Sequence, residues 1–328
     1  MIEGQEDVTW EDWKALAGAC ERAGVSTLFR SDHYLSVVEG SRRGSLDAWA
    51  TICALGAITE RLRLGTLVSP ATFRHPAVLA KMVTTADHVT NGRIELGIGA
   101  GWWRGEHDAY GFQLPPIGAR IDALEEQCEL IVRHWRGGAF SFHGRHYTAE
   151  NVEPLPAPVQ AGGPPLILGG RGKPRSIALA ARLADEYNVD EMTAPEIDGV
   201  RNRLDAACEA IGRDPVSLPL SLNTGWIVGD DRAELEDRLE RLADREGATS
   251  AARYRESLTA SWIVATTDEA LQRVEELEAA GVSRIMAGQL LHRDLDAVEL
   301  LGRVVASVAS PHAPRALRPE GAQAVPRT

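Results

Sequence analysis

Between Arg93 and His107 the chain passes from a short apolar run into a glycine turn. Two tryptophans, an arginine, a glutamate and a histidine follow within six residues. Glycine lets backbone approach a flat or charged ligand because no Cβ stands in the way. Loops on rigid strand ends are where binding residues concentrate. Ala100, Gly101 and Trp102 therefore form a candidate ligand surface. Glu106 could donate a proton beside the tryptophans if burial raises its pKa; a solvated acid at a helix start is the plainer alternative.

Two further stretches could do chemistry. Asp32–His33 follows an apolar run, and imidazole titrates near neutrality, so His33 suits a general base with Asp32 as its orienting carboxylate. The alternative is a capping Asp beside a packed His. Gly169–Gly170–Arg171–Gly172–Lys173 ends another apolar run, with Pro174 and Ser176 opening a helix. It offers backbone N–H groups and two cations to a phosphate. It is not the glycine–lysine phosphate loop of nucleotide hydrolases, because Pro174 stands where Ser or Thr is needed. Gly97-x-Gly99-x-x-Trp102 likewise lacks the last glycine of the dinucleotide fingerprint. His143-x-x-His146 has no third ligand at suitable spacing, so no metal is expected. The Glu/Arg-rich run from Asp230 to Glu246 reads as a solvated helix face.

The elements that must position these residues alternate. Strands are predicted at Val25 to Arg30, Leu62 to Val68, Ile94 to Ile98, Leu166 to Leu168, Glu186 to Val189, Pro219 to Val228 and Ser283 to Ala287. Helices are predicted from the Thr9 cap to Gly24, then over Leu46 to Ile58, Pro76 to Val89, Ile121 to Trp135, Ser176 to Ala184, Ile197 to Ile211, Ala233 to Leu242, Asp268 to Ala280 and Leu295 to Val308. Trp262–Ile263–Val264 is an isolated apolar piece. Residues 137–163 alternate aromatics around Gly144 and then run through three prolines, which reads as an inserted hairpin and connector. About eight strand–helix units suit a closed (β/α)8 TIM barrel, with its site at the carboxyl ends of the strands. Residues 1–308 are expected to form that single domain, and 309–328 a disordered tail.

Composition narrows the function. The 328 residues are 44% hydrophobic and carry a net charge of −12, which disfavours nucleic-acid and anionic-membrane partners. There is no apolar run of membrane-spanning length and no signal-peptide pattern. Cys20, Cys53, Cys128 and Cys208 are far apart and read as buried free thiols, so a cytoplasmic location is expected. Helices rich in Ala and Val beside the first strands allow a homodimer.

Ser31–Asp32–His33, Leu64–Gly65–Thr66 with Arg74–His75–Pro76–Ala77, Asn91–Gly92–Arg93 through Trp102 with Glu106, and Pro165 to Gly170 followed by Ala184 to Asn188 together resemble the bacterial luciferase-like monooxygenase superfamily. Within it the likeness is to coenzyme F420-dependent oxidoreductases, and it covers nearly the whole chain. The resemblance implies a barrel holding a flavin or deazaflavin at its mouth, with Asp32 and His33 beside the reactive ring. It implies a bulge with a non-proline cis peptide near Leu67–Val68, followed by Ser69, backing the ring. Ala100–Gly101–Trp102 would touch the ring or its tail, and Gly169–Gly170–Arg171 would hold the phosphate. Glu3, Tyr34 and Asn188 are the candidate substrate-pocket residues. The expected activity is hydride transfer between F420 and a small organic substrate, with His33 as base, Asp32 orienting it and Glu106 as the opposing acid. Arg30, Arg74, Arg104, Arg171 and Lys173 would supply positive charge for the anionic cofactor. An FMN-dependent, oxygen-using monooxygenase and a non-catalytic flavin-binding protein are the alternatives. Members of the superfamily have a full first strand, whereas Met1–Ile2–Glu3–Gly4 resembles only its end, so the native start is expected upstream of Met1.

Overall fold

The computed structural model describes residues 1–38 and 40–308. The chain opens with Met1–Ile2 and then α1 (Trp10–Ala23), which starts at a reciprocal capping box between Thr9 and Asp12 and stops at Gly24 in the left-handed conformation. Next come β1 (Thr27–Arg30), α2 (Ala48–Ile58), β2 (Arg63–Pro70), α3 (Pro76–Thr90) and β3 (Ile94–Gly99). Pro76 occupies the first turn of α3, where its missing N–H costs nothing, and Asn91 closes that helix. Then follow α4 (Arg104–Tyr110), α5 (Ile117–Arg136), the hairpin strands β4 (Phe140–His143) and β5 (Thr148–Val152), β6 (Leu166–Gly169), α6 (Pro174–Leu183) and β7 (Glu186–Asp190). The chain continues through α7 (Ala194–Glu209), β8 (Leu220–Gly229), α8 (Arg232–Glu246), α9 (Ala251–Ser257), β9 (Ile263–Thr266), α10 (Thr267–Ala279), β10 (Val282–Gly288) and α11 (Leu295–Val308).

The central sheet is parallel, in the order β1-β2-β3-β6-β7-β8-β10. Ile2 bridges Arg30 on one side and Gln289 on the other, which joins the two edges into a ring of eight positions. Ile2 N–H donates to Phe29 O at 3.0 Å, Ser31 N–H to Ile2 O at 3.1 Å, and Gln289 N–H to Met1 O at 3.0 Å. Among the described residues this join rests on Met1–Ile2 and lies toward the strands' carboxyl ends. The chain thus folds as a (β/α)8 barrel, with the β4–β5 hairpin inserted between α5 and β6.

The strands' amino ends are plugged by charge. Glu95 bonds Arg284 at 2.7 Å and Arg63 at 2.7 Å, and Arg284 also reaches Glu186 at 2.8 Å. Burial alone would raise the Glu95 pKa, but the two guanidiniums hold it below the usual carboxylate range. Ligand access is left to the carboxyl-end mouth.

Three expectations need correction. Two helices were not foreseen. The buried residues of α4 are Glu106 and His107, so it shows no apolar period, and α9 buries only Tyr254. The apolar piece at Trp262–Val264 opens a strand, β9 from Ile263 to Thr266, that pairs with the second half of β8 off the ring. Cys53 is half-buried, unlike the other three cysteines. The expected disordered tail, 309–328, lies outside the described residues. Among the described residues no helix is long and apolar enough to cross a membrane.

Candidate active site at the barrel mouth

His33 lies just past the end of β1, with its side chain 14% exposed. Its Nδ1 is 2.9 Å from Glu106 Oε1. The same carboxylate accepts the Tyr34 N–H at 2.5 Å and the Leu35 N–H at 3.4 Å through Oε2. Glu106 reaches this position because α4 starts immediately after the β3 turn and points its first buried residue across the mouth. A carboxylate can only accept here, so His33 Nδ1 carries a proton and Nε2 is the open nitrogen. Among the described residues, Nε2 has no protein partner. Burial lowers the imidazole pKa, but the hydrogen bond and charge of Glu106 outweigh it, and the net displacement is upward.

Asp32 does not orient His33, contrary to the expectation. Its carboxylate turns the other way, accepting Arg74 Nη1 at 2.5 Å, Arg74 Nη2 at 3.1 Å and the Ser69 hydroxyl at 2.7 Å. Ser69 Oγ in turn accepts the Trp49 indole N–H at 3.0 Å. Adjacent residues leaving a strand point to opposite sides, so one carboxylate could not easily serve both its own fork and its neighbour's ring. Asp32 instead bolts the start of the His33 loop to the β2–α3 loop. Glu106, expected opposite the histidine, is its orienting partner.

Behind this pair β2 bulges. Thr66 faces Leu96 and Ser69 faces Ile98, so Leu67 and Val68 together oppose Gly97. The Leu67–Val68 peptide is cis. Val68 leans over β3 and β6: a Cβ on Gly99 would lie 2.8 Å from one of its methyls, and a Cβ on Gly169 3.0 Å from the other. A half-exposed apolar side chain seated on glycine backbone makes a smooth wall one residue from the Asp32–Ser69 bond. At the next turn Gly101 adopts φ +74°, and its carbonyl accepts from Arg120.

The glycine loop after β6 is partly self-satisfied. Gly170 N–H donates to Asn188 O at 2.9 Å and Gly172 N–H to Tyr187 Oη at 2.9 Å. Arg171 and Lys173 are exposed beside the start of α6. The expected cation set shrinks accordingly. Arg30 is buried against the Trp13 ring at 5.0 Å, its pKa lowered by burial to about 10, and Arg74 is held by Asp32. Arg104 points outward to Asp108 at 3.5 Å.

The opposite wall is aromatic. The His33 ring sits edge-on to Trp102 and Trp103, at 6.1 and 6.2 Å between centroids, and Trp102 is 63% exposed. Tyr34 packs with Phe73, Tyr110 and Phe112, while its hydroxyl accepts from Arg74 at 3.3 Å. Glu3 is half-buried and accepts from Gln5 at 2.8 Å. It follows Ile2, which bridges Arg30 and Gln289 at the carboxyl ends of β1 and β10, and its charge raises the pKa of both His33 and Asp190. Asn188 lies inside the barrel, donating to Ser221 Oγ at 3.0 Å. His107 received no role from the sequence. Its Nδ1 bonds Trp103 O at 2.6 Å and its Nε2 bonds Thr72 Oγ1 at 2.7 Å, which fixes the indole wall to the β2–α3 loop. Its place one residue after Glu106 was the only available signal.

The family model for luciferase-like monooxygenases matches residues 2–287. An F420-dependent hydroxymycolic acid dehydrogenase from Mycobacterium tuberculosis is 30% identical over 225 residues, spanning 67% of this chain and 59% of that protein. An FMNH2-dependent dimethylsulfone monooxygenase from Pseudomonas fluorescens is 25% identical over 265 residues, or 72% of this chain and 71% of its own. Among solved structures, an F420-dependent secondary alcohol dehydrogenase superposes with a TM-score of 0.78 at 18% identity, covering 94% of this chain and 97% of the other. That level of identity speaks for the fold alone.

Proposed function

This chain belongs to the luciferase-like monooxygenase family and is an oxidoreductase, and from that premise we propose that it moves a hydride between coenzyme F420 and a small organic substrate. The observation that carries this reading is His33, held at Nδ1 by Glu106 with Nε2 unpartnered and the ring steeply inclined to the nearby Trp102 and Trp103 indoles. A general acid–base residue needs this geometry: one nitrogen anchored to set the tautomer, the other free for the substrate.

The residues present fit a deazaflavin. Val68 on its glycine seat would give an apolar backing for a planar ring, Ala100–Gly101–Trp102 would help hold it, and Arg171 with the start of α6 would take the phosphate. Bound there, the deazaflavin would supply the two-electron hydride chemistry. The chain handles the proton. Neutral His33 accepts the hydroxyl proton of an alcohol substrate at Nε2, and the imidazolium returns it to a carbonyl oxygen in the reverse direction. Glu106 keeps Nδ1 protonated and stabilises the imidazolium. Tyr34 and Trp102 give the substrate an aromatic wall.

The similarity to an FMNH2-dependent monooxygenase supports a second reading, an FMN-dependent enzyme that consumes oxygen. Titrating the purified protein with F420 and with FMN, following cofactor fluorescence, separates the two. Tight F420 binding with weak FMN binding upholds the first reading; the reverse result, with substrate-dependent oxygen uptake, replaces it. Exposed apolar side chains on α2 and α3, namely Ile58, Val78 and Val89, support a homodimer through that face. A monomeric mass by light scattering would reject this assembly.

A further inference from the structure

We propose that Tyr187 is the positioning residue that holds the candidate phosphate loop in its binding shape; this rests on the cofactor reading above. Tyr187 is the second residue of β7 and its side chain is fully buried, so its hydroxyl must find partners inside the protein. It finds them in the glycine loop. Oη accepts the Gly172 N–H at 2.9 Å and lies 2.8 Å from Ser176 Oγ. Ser176 Oγ lies 2.9 Å from Lys173 O. A carbonyl can only accept, so Ser176 donates its single proton to Lys173, and Tyr187 must donate to Ser176. The direction of the whole chain is thereby set: Gly172 N–H to Tyr187, Tyr187 to Ser176, Ser176 to Lys173.

This relay does two things at once. It ties the turn at Gly172, where φ is +66°, to the first turn of α6, so the loop and the helix start move as one body. It also draws Gly170 against the phenol, since a Cβ at Gly170 would lie 2.2 Å from Oη. With Gly170 N–H given to Asn188 and Gly172 N–H to Tyr187, Arg171 is left at the crest, facing solvent. The phenol is buried beneath the loop, and its hydroxyl is given to Gly172 and Ser176, so it acts through the loop.

The test is Tyr187→Phe, which removes one oxygen and keeps the packing, with Ser176→Ala as a second variant that breaks the same relay one bond further on. Each is titrated with a phosphorylated and phosphate-free pair: F420 against its phosphate-free deazaflavin riboside, and FMN against riboflavin. Melting temperature is recorded alongside. The expected result is about tenfold weaker binding of the phosphorylated member by Tyr187→Phe, a smaller loss for Ser176→Ala, and unchanged binding of the phosphate-free member. Turnover at saturating cofactor should stay at the wild-type value. Equal loss for both members of a pair marks a general packing role and overturns the proposal, as does no loss for either. Wild-type protein that binds none of the four ligands rejects the cofactor reading itself, and this proposal with it.

Discussion

Glu106→Gln tests the tautomer argument most directly. The carboxylate uses Oε1 for the His33 Nδ1–H and Oε2 for the Tyr34 and Leu35 N–H groups. An amide has one oxygen. If that oxygen stays with the backbone donors, its NH2 group faces Nδ1, and His33 can satisfy it only by moving its own proton to Nε2. The ring then presents a donor where a base is needed. Losing a charge-assisted hydrogen bond costs about 1.5–3 kcal/mol, so the variant should fold. Losing the base should lower the rate of alcohol oxidation by about 10²–10⁴. Cofactor affinity should hold, because Glu106 is not among the cofactor-holding residues. The pH dependence follows with its sign. In the wild type, Glu106 raises the His33 pKa above the usual imidazole value, so oxidation rises with pH as the ring deprotonates through that raised value, and reduction falls. The stability contributed by the His33–Glu106 pair is complete below the unfolded pKa and disappears as pH climbs through the folded one. In the variant the Glu106 contribution is gone while the charges of Glu3 and Asp32 still oppose burial, so the titration moves down from its raised wild-type position. Nitrogen-15 NMR of the His33 ring, with stopped-flow hydride transfer across pH, measures both effects. Turnover within tenfold of wild type, or an unprotonated Nε2 in the variant, would refute the reasoning.

Three further outcomes are expected. Arg74→Met should leave the Asp32 carboxylate buried with only the Ser69 hydroxyl, costing about 3–5 kcal/mol in chemical denaturation; a cost below about 1 kcal/mol would mean the pair is not the bolt described. Gly97→Ala would put a Cβ 2.1 Å from the Thr66 carbonyl oxygen, so it should destabilise by about 1–3 kcal/mol or more, and an unchanged unfolding midpoint would contradict the tight β2–β3 approach. Arg171→Ala should weaken F420 binding several-fold at low salt and less at high salt, as expected for an exposed cation that titration calorimetry can follow.

Much of the fold was legible because its signals are local. The Thr9–Asp12 capping box, Pro76 opening α3 and Asn91–Gly92 closing it, and the apolar runs of β2, β3 and β8 each state their element within a few residues. Helix α4 was hidden because its buried face is made of charged residues that no apolar period marks. The candidate residues His33, Gly101, Glu106 and Arg171 were legible for a related reason: each follows a strand, and in a parallel barrel all strand carboxyl ends meet at one mouth.

What the sequence by itself determined, then, is most of the element order and the barrel it builds, since these follow from short-range chemistry repeated along the chain. Who bonds to whom was decided only in the tertiary structure. Asp32 stands next to His33 in the chain yet is given to Arg74, whereas Glu106, 73 residues on, is given to His33. Tyr187 and Gly172 meet across 15 residues for the same reason. A buried hydrogen bond is set by direction and distance in space, and the alternation of side chains at a strand end can part neighbours and bring distant residues together.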